Sequence, residues 1–393
     1  MRVRLGDIAS VVARQVDPRL PEYASLPLIN GENIESGTTR LLFRRTAADE
    51  GVISPKYEVA IGDVVYSKLR PYLRKAAVAN EPGLCSADSY PLRLDSELAD
   101  PQWMSWMLVS EQFTRYATDA SARARMPKLN REQLFSYEFD LPPVEAQRRL
   151  ATRVAAQFAA VGDLMRRADA RASSVRELRA RAVNEPYDRP PSHWPRRSIE
   201  TVARLQTGYA FRSEWFTGAG IRLLRNANVG HGVIDWTNLA LLPKELAPSY
   251  TPFRLAEGDI VLSLDRPIIA SGIKVARLTA ADVPSLLLQR VARIFPGADM
   301  DADYLYHFLL TRQFASAISA HDQSLGVPHV SPRQVGSVLL PFPPIAEQRR
   351  VAAELRERLA AIDAMERAIR VEQAAIDALP AALLRRAFDG LAA

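Results

Sequence analysis

The apolar and polar positions divide the chain into two kinds of segment, and each kind occurs twice. Short apolar runs broken by turn residues fill residues 1–143, such as Leu26-Pro27-Leu28-Ile29 before Asn30-Gly31 and Val64-Val65-Tyr66 after Gly62-Asp63. Runs of this length bounded by Gly, Asn and Asp predict strands joined by turns. Asp100-Pro101 ahead of Gln102-Trp103-Met104-Ser105-Trp106-Met107-Leu108 predicts a helix with Asp100 as N-cap and Pro101 at its first position. From Val144 to about Val183 the period changes. Val154, Val161, Ala168, Val175 and Ala182 recur every seven residues, with Gln157, Leu164, Arg171 and Leu178 three places after the first four. This predicts a helix of about forty residues, a rod roughly 60 Å long. A helix of that length needs a partner for its apolar stripe.

Four prolines between Asn184 and Pro195 predict the end of that helix and a linker. The pattern then starts again. Gly258-Asp259-Ile260-Val261 answers Gly62-Asp63-Val64-Val65, and Arg266-Pro267 answers Arg70-Pro71, both at an offset of 196. Asp303-Tyr304-Leu305-Tyr306-His307-Phe308-Leu309 answers residues 102–108 at 201, and Pro343-Pro344 with Gln348-Arg349-Arg350 answers Pro142-Pro143 with Gln147-Arg148-Arg149 at the same offset. Ile345 opens a second helix with the seam Ile362, Met365, Ile369, Glu372, Ile376, Leu379 and Leu383, which Pro380 should kink or divide. The expected fold class is α+β with an internal duplication: strand-rich domains at 1–143 and 196–344, long helices at 144–183 and 345–393, and a linker at 184–195.

Composition narrows the function classes. At 393 residues the chain is long enough for two or three domains with their own cores. One cysteine, Cys85, excludes an intramolecular disulfide framework and fits a reducing cytoplasm. The start, Met1-Arg2-Val3-Arg4, lacks the apolar run of a signal peptide, and no apolar stretch reaches the ~20 residues of a membrane span. The net charge of +6 is concentrated at 144–183, where nine arginines face four acids. That makes overall charge a weak argument for nucleic acid.

Catalytic motifs are missing. There is no Gly-rich phosphate loop ending in Lys-Ser/Thr, no His-Glu-x-x-His, and no metal spacing among His193, His231, His307, His321 and His329. Asn184-Glu185-Pro186-Tyr187 lacks the first proline of the adenine-methyltransferase motif it superficially matches. Asp63 and Asp259 fit turns better than a reacting carboxylate pair. The expectation is a binding protein with no catalytic, cofactor or metal site of its own.

Two strand-rich domains, each followed by Pro-Pro-hydrophobic-x-x-Gln-Arg-Arg and a long helix, resemble the specificity subunit of a type I DNA restriction–modification system. Leu384-Arg385-Arg386-Ala387-Phe388-Asp389-Gly390 belongs to the same resemblance, which covers essentially the whole chain. The family's usual Glu-Gln pair reads Ala146-Gln147 in the first copy. The resemblance implies two target recognition domains, each reading half of a split DNA sequence, and long helices paired antiparallel as a spacer. It also implies two methylation subunits and restriction/translocase subunits as partners, with AdoMet, ATP and Mg held by those partners. A bivalent protein-interaction scaffold is the alternative, and a stand-alone adenine methyltransferase or nuclease a more distant one.

On that reading, the DNA-contacting candidates form three groups. One is the polar loop before the last strand of each half: Arg123, Arg125, Lys128 and Asn130 in the first, His321, Gln323, Ser324, His329 and Ser331 in the second. Another is Arg70 and Arg266 with Lys68, Arg74 and Lys75; the last is Arg225, Asn226 and Asn228. Arg matches guanine edges and Asn or Gln adenine edges, while Lys and Ser more often position phosphates. Domains that read different half-sites should differ where they touch bases, which favours the divergent 121–130 and 321–331 loops. Gln147-Arg148-Arg149 and Gln348-Arg349-Arg350, identical in both halves, are candidates for docking two identical partners.

Overall fold

A computed structural model describes residues 1–122, 126–270, 272–319 and 329–389. The chain forms two units: residues 1–170 with 370–393, and residues 171–369. Each unit therefore takes one strand-rich region and a stretch of both long helices.

In the first unit an antiparallel sheet runs Ala9–Val11, Ser89–Leu94, Val64–Ser67, Ala76–Val78. A second sheet runs Gln15–Val16, Lys56–Val59, Gly83–Cys85, Leu28–Ile29, its last pairing parallel. Arg2–Arg4 pairs with Glu138–Asp140, so the region's first strand meets its last. The second unit repeats the first sheet as Ala203–Thr207, Val291–Pro296, Ile260–Ser263, Val275–Arg277. Its other sheet keeps the common trio Arg254–Leu255, Ser285–Leu287, Ile221–Leu224 but adds Leu241–Leu242 at the opposite edge. The core strands are thus duplicated while the edges diverge.

The helix predicted after Asp100 is Pro101–Leu108, and Asp100 accepts from Trp103 N at 2.9 Å. Trp103 lies in the first core against Phe139 and Phe388, and Tyr304, its counterpart at 201, packs against Tyr187. Phe388 and Tyr187 end the two long helices, Ile345–Phe388 and Val144–Asp188. In each unit the C-terminal end of one long helix inserts an aromatic ring beside the N-terminal end of the other: Ala151 and Val154 with Leu384 and Phe388, and Ala182 and Tyr187 with Val351, Ala352 and Leu355.

The first helix runs through the expected linker as far as Asp188, with Pro186 inside it. A proline inside a helix costs about 3 kcal/mol. Burial of the Tyr187 ring returns about 2 kcal/mol, and its hydrogen bonds return about 1 each. Tyr187 is fully buried and donates to Tyr304 O at 2.8 Å, while Asn184 donates to Ala180 O at 2.6 Å and accepts from Arg312 N at 2.7 Å. Tertiary contacts outweigh local propensity here. Pro380 likewise does not divide the second helix.

The buried seam also differs from the expected three-four pattern. Val154, Val161, Ala168 and Ala182 are buried, but Leu164 and Leu178 are 39% and 43% exposed. The second row of the stripe instead lies four places after the first: Phe158 and Met165 are half-buried against the cores, and Arg179 pairs with Glu366 at 3.0 Å. In the second helix Ile362, Ile376 and Leu384 are buried while Met365 is exposed. Alternating steps of four and three still average 3.5 residues, so the heptad repeat is kept and only its second row lies one residue further on than expected.

Candidate nucleic-acid interface

In both units the strand that leads to the polar face begins with the same turn. Gly62 and Gly258 have φ of +87° and +85°, where a side chain would be strained. The following acids close the turn: Asp63 accepts from Ala60 N at 2.8 Å and Asp259 from Ala256 N at 2.7 Å. Arg93 pairs with Asp63 at 2.8 Å and Arg293 with Asp259 at 2.6 Å. Burial pushes the Asp259 carboxyl up. These carboxylates are structural.

At the far end of the strand, Arg70 and Arg266 take left-handed φ of +50° and +42°. Both side chains are exposed and make no hydrogen bond or ion pair among the described residues. Alongside lies the segment before the last strand: Leu69 bridges Lys128 in the first unit and Asp265 bridges His329 in the second. Leu129 N donates to Lys68 O and Val330 N to Leu264 O, at 3.0 and 2.9 Å. The structure thus brings the Arg-Pro turn and the start of the last-strand loop together in each unit. Lys128 is exposed beside Arg70; His329 is exposed beside Arg266. Arg123, Arg125, His321, Gln323 and Ser324 lie outside the described residues.

Several candidates have structural duties instead. Lys68 is buried with its ammonium 4.8 Å from the Tyr90 ring centre, and burial pushes its pKa down. Arg74 donates to Val109 O at 2.7 Å, and Lys75 donates to Gly31 O. Asn228 is buried and spans its turn, accepting from Arg225 N at 3.1 Å and donating to Asp235 O and Asn238 O. Asn33, buried at the matching place, likewise accepts from the residue three before it, Asn30 N at 2.9 Å, and donates to Leu28 O at 2.8 Å. Arg225 is held by Asn238 at 2.7 and 2.8 Å; Asn226 is half-buried. Asn130 and Ser331 are N-caps of the helices Arg131–Phe135 and Pro332–Gly336, each in a capping box with Gln133 or Gln334.

The repeated Gln-Arg-Arg splits by burial. Gln147 is fully buried, accepting from Asp100 N at 2.9 Å and donating to Leu98 O and Pro142 O at 2.9 and 2.7 Å. Gln348 repeats this on Asp301 N, Asp299 O and Pro343 O at 2.9, 3.0 and 2.8 Å. The two glutamines fasten each long helix to its own domain and offer nothing to a partner. Arg148, Arg149, Arg349 and Arg350 are exposed; Arg148 pairs with Glu145 and Arg350 with Glu347 and Glu354.

Two residues that sequence reasoning missed stand at the second face. Asp265 Oδ1 accepts from His329 Nδ1 at 2.7 Å and from Arg290 at 3.0 Å, and Arg290 has φ of +72°. The available signal was the change from Leu69 to Asp265 at otherwise matching positions; nothing in the sequence marks the conformation of Arg290.

Among the described residues no cluster of three or more His, Cys, Asp or Glu could hold a metal ion. Cys85 is buried, and burial pushes its thiol up. Burial pulls His307 down to about 4. No helix among the described residues is long and apolar enough to cross a membrane.

No family model matches the chain. It is 33% identical over 270 residues to the EcoAI type I restriction enzyme specificity subunit of Escherichia coli, a match covering 67% of this chain and 44% of that subunit. It is 26% identical over 294 residues to the MjaVIII specificity subunit of Methanocaldococcus jannaschii, covering 72% and 68%. The chain therefore spans less than half the length of the EcoAI relative. Among solved structures, the fold is similar to a chain from work on complex assembly and conformational transition of the type I R-M system, with a TM-score of 0.79, 20% identity, and coverage of 99% and 97%. The HsdS subunit from Thermoanaerobacter tengcongensis matches with a TM-score of 0.63, 21% identity, and coverage of 99% and 96%.

Proposed function

The chain is a homologue of the type I restriction enzyme specificity subunits, and on that premise we propose that it is the non-catalytic, sequence-reading DNA subunit of such a complex. Residues 1–143 and 196–344 act as two target recognition domains, each for one half of a bipartite site. The observation that carries this reading is a contrast between the units. Their scaffolds share the same polar fasteners, in Asp63 and Asp259, Asn33 and Asn228, Gln147 and Gln348. Their exposed faces keep one arginine in common, Arg70 and Arg266, and differ around it. Two readers of different sequences need that combination, because phosphate contacts can be shared while base contacts cannot.

The bound duplex lies against Arg70 and Lys128 in one unit and against Arg266, Arg290 and His329 in the other. Arg123, Arg125, His321, Gln323 and Ser324, outside the described residues, stay candidates for further DNA contacts. Arg148, Arg149, Arg349 and Arg350 serve two copies of a methylation subunit, to which restriction/translocase subunits attach. Methyl donor, ATP and Mg belong to those partners, and the assembly works in the cytoplasm.

Fluorescence titration of the complete methylation complex on duplex DNA at several salt concentrations tests the reading. Sequence-specific binding that weakens with salt is expected. Salt-independent binding with no duplex preference, or methyl transfer by the purified chain alone, contradicts it.

A further inference from the structure

The second unit holds a polar group that neither the duplication nor the family likeness assigns. Asp265 is only 19% exposed, while the Arg290 and His329 side chains that share its Oδ1 are 55% and 44% exposed. The backbones beneath are locked together. Leu264 N donates to Arg290 O and Val330 N to Leu264 O, at 2.8 and 2.9 Å, and Ser263 Oγ donates to Asp265 O at 2.9 Å. Arg266 and Arg290 both sit in the left-handed region, which non-glycine residues hold only where the surroundings over-determine it. The group is a fixed anchor with two side chains open outward.

We infer that Asp265, His329 and Arg290 form a reader for one G·C base pair in the half-site taken by the second unit; this rests on the DNA-reading function proposed above. A carboxylate only accepts, so Nδ1 of His329 is the donor to Asp265, and in the tautomer this contact selects Nε2 is the ring's acceptor, left free for a donor. Arg290 supplies N–H donors from the other partner of the same oxygen. In the major groove guanine presents O6 and N7 as acceptors, and its cytosine presents an amino donor. Arg290 complements the guanine and Nε2 of His329 the cytosine. Replacing the pair by A·T sets the adenine amino group against the arginine donors and thymine O4 against the histidine lone pair. The arginine then keeps only the N7 acceptor, and the histidine loses its donor.

The first unit cannot build this group. The matching bridge joins Leu69 to Lys128, and the residue that accepts from Lys68 N, as Arg290 does from Leu264 N, is Asp88. The reader is therefore private to one half-site. Asp265 acts as a positioning residue, since it holds both reading side chains without needing to touch DNA.

The test uses the complete methylation complex acting on a plasmid library of random sequence, with methylated sites read by sequencing. Exchange of residues 196–344 for a relative's domain first identifies the second unit's half-site. That half-site should contain an invariant G·C pair. Arg290→Ala and His329→Ala should each relax the preference there by roughly tenfold to a hundredfold. Asp265→Asn should do so as well, although it keeps both reading side chains. The other half-site, read unchanged in the same molecules, reports that each variant is folded. A half-site with no fixed G·C pair, or variants that leave it intact although the exchange alters it, overturns the reader and leaves the function standing. An exchange that alters neither half-site removes both.

Discussion

At the scale of single residues, the best-repeated polar side chains are internal fasteners. Gln147 makes three hydrogen bonds in a site with no exposure, so Gln147→Ala orphans Asp100 N, Leu98 O and Pro142 O. At about 1 kcal/mol or more per orphaned group, a loss of roughly 3 kcal/mol is expected for the first unit. Hydrogen exchange should show faster amides around 98–108 with little change around 299–309, and Gln348→Ala the reverse. His307 gives a pH-dependent counterpart. Burial holds it at about 4 against an ordinary 6.5, so between those values the unfolded chain binds the extra proton and stability rises with pH. The contribution is complete above pH 6.5 and disappears as pH falls to 4, about 3 kcal/mol in all. His307→Leu should flatten that slope, read as amide protection of Ala302–Leu309 at pH 7 and pH 5. The sequence showed the repetition of these residues but not its cause. A buried amide and an exposed one are the same letter, and only the neighbours at 98–100 and 299–301, remote in sequence, distinguish them.

At the scale of elements, periodicity located both long helices and the capped helix at Pro101–Leu108, yet misplaced one edge of the buried stripe. Val161 and Ala168 were legible as seam positions, but Leu164 and Leu178 were read as their partners because a three-four spacing was assumed. Which neighbouring row lies inside depends on the facing helix, and one helix's sequence does not carry that information. Ala168→Asp should cost about 3 kcal/mol or more by burying an unpaired carboxylate. Leu164→Glu should stay within about 0.5 kcal/mol. Thermal melting of the two variants beside the unsubstituted chain checks the difference. The proline count at 184–195 misled in a related way. It registered four local breaks but not the burial of Tyr187, which carries the helix past Pro186. At the candidate interface, Arg70, Arg266, Lys128 and His329 were legible as exposed polar residues beside turns. Lys68, Arg74 and Asn228 were not separable from them, since their engagement comes from tertiary neighbours.

At the scale of the whole molecule, the proposed account joins two readers through a pair of helices of fixed length, 45 and 44 residues. Seven residues added to both helices together lengthen a helical spacer by roughly 10 Å, about three base pairs of B-form DNA. The methylated site should then keep its two half-sequences and gain a wider gap; an unchanged gap contradicts a ruler. The duplication makes a sharper demand, because each recognition domain should be a separable reader. The measurement that tests this most directly is methylation mapping by single-molecule sequencing in cells whose chain carries another family member's domain in place of residues 196–344. One half-site should change to the donor's and the other should remain base for base. A target that stays whole, or changes in both halves, contradicts the account.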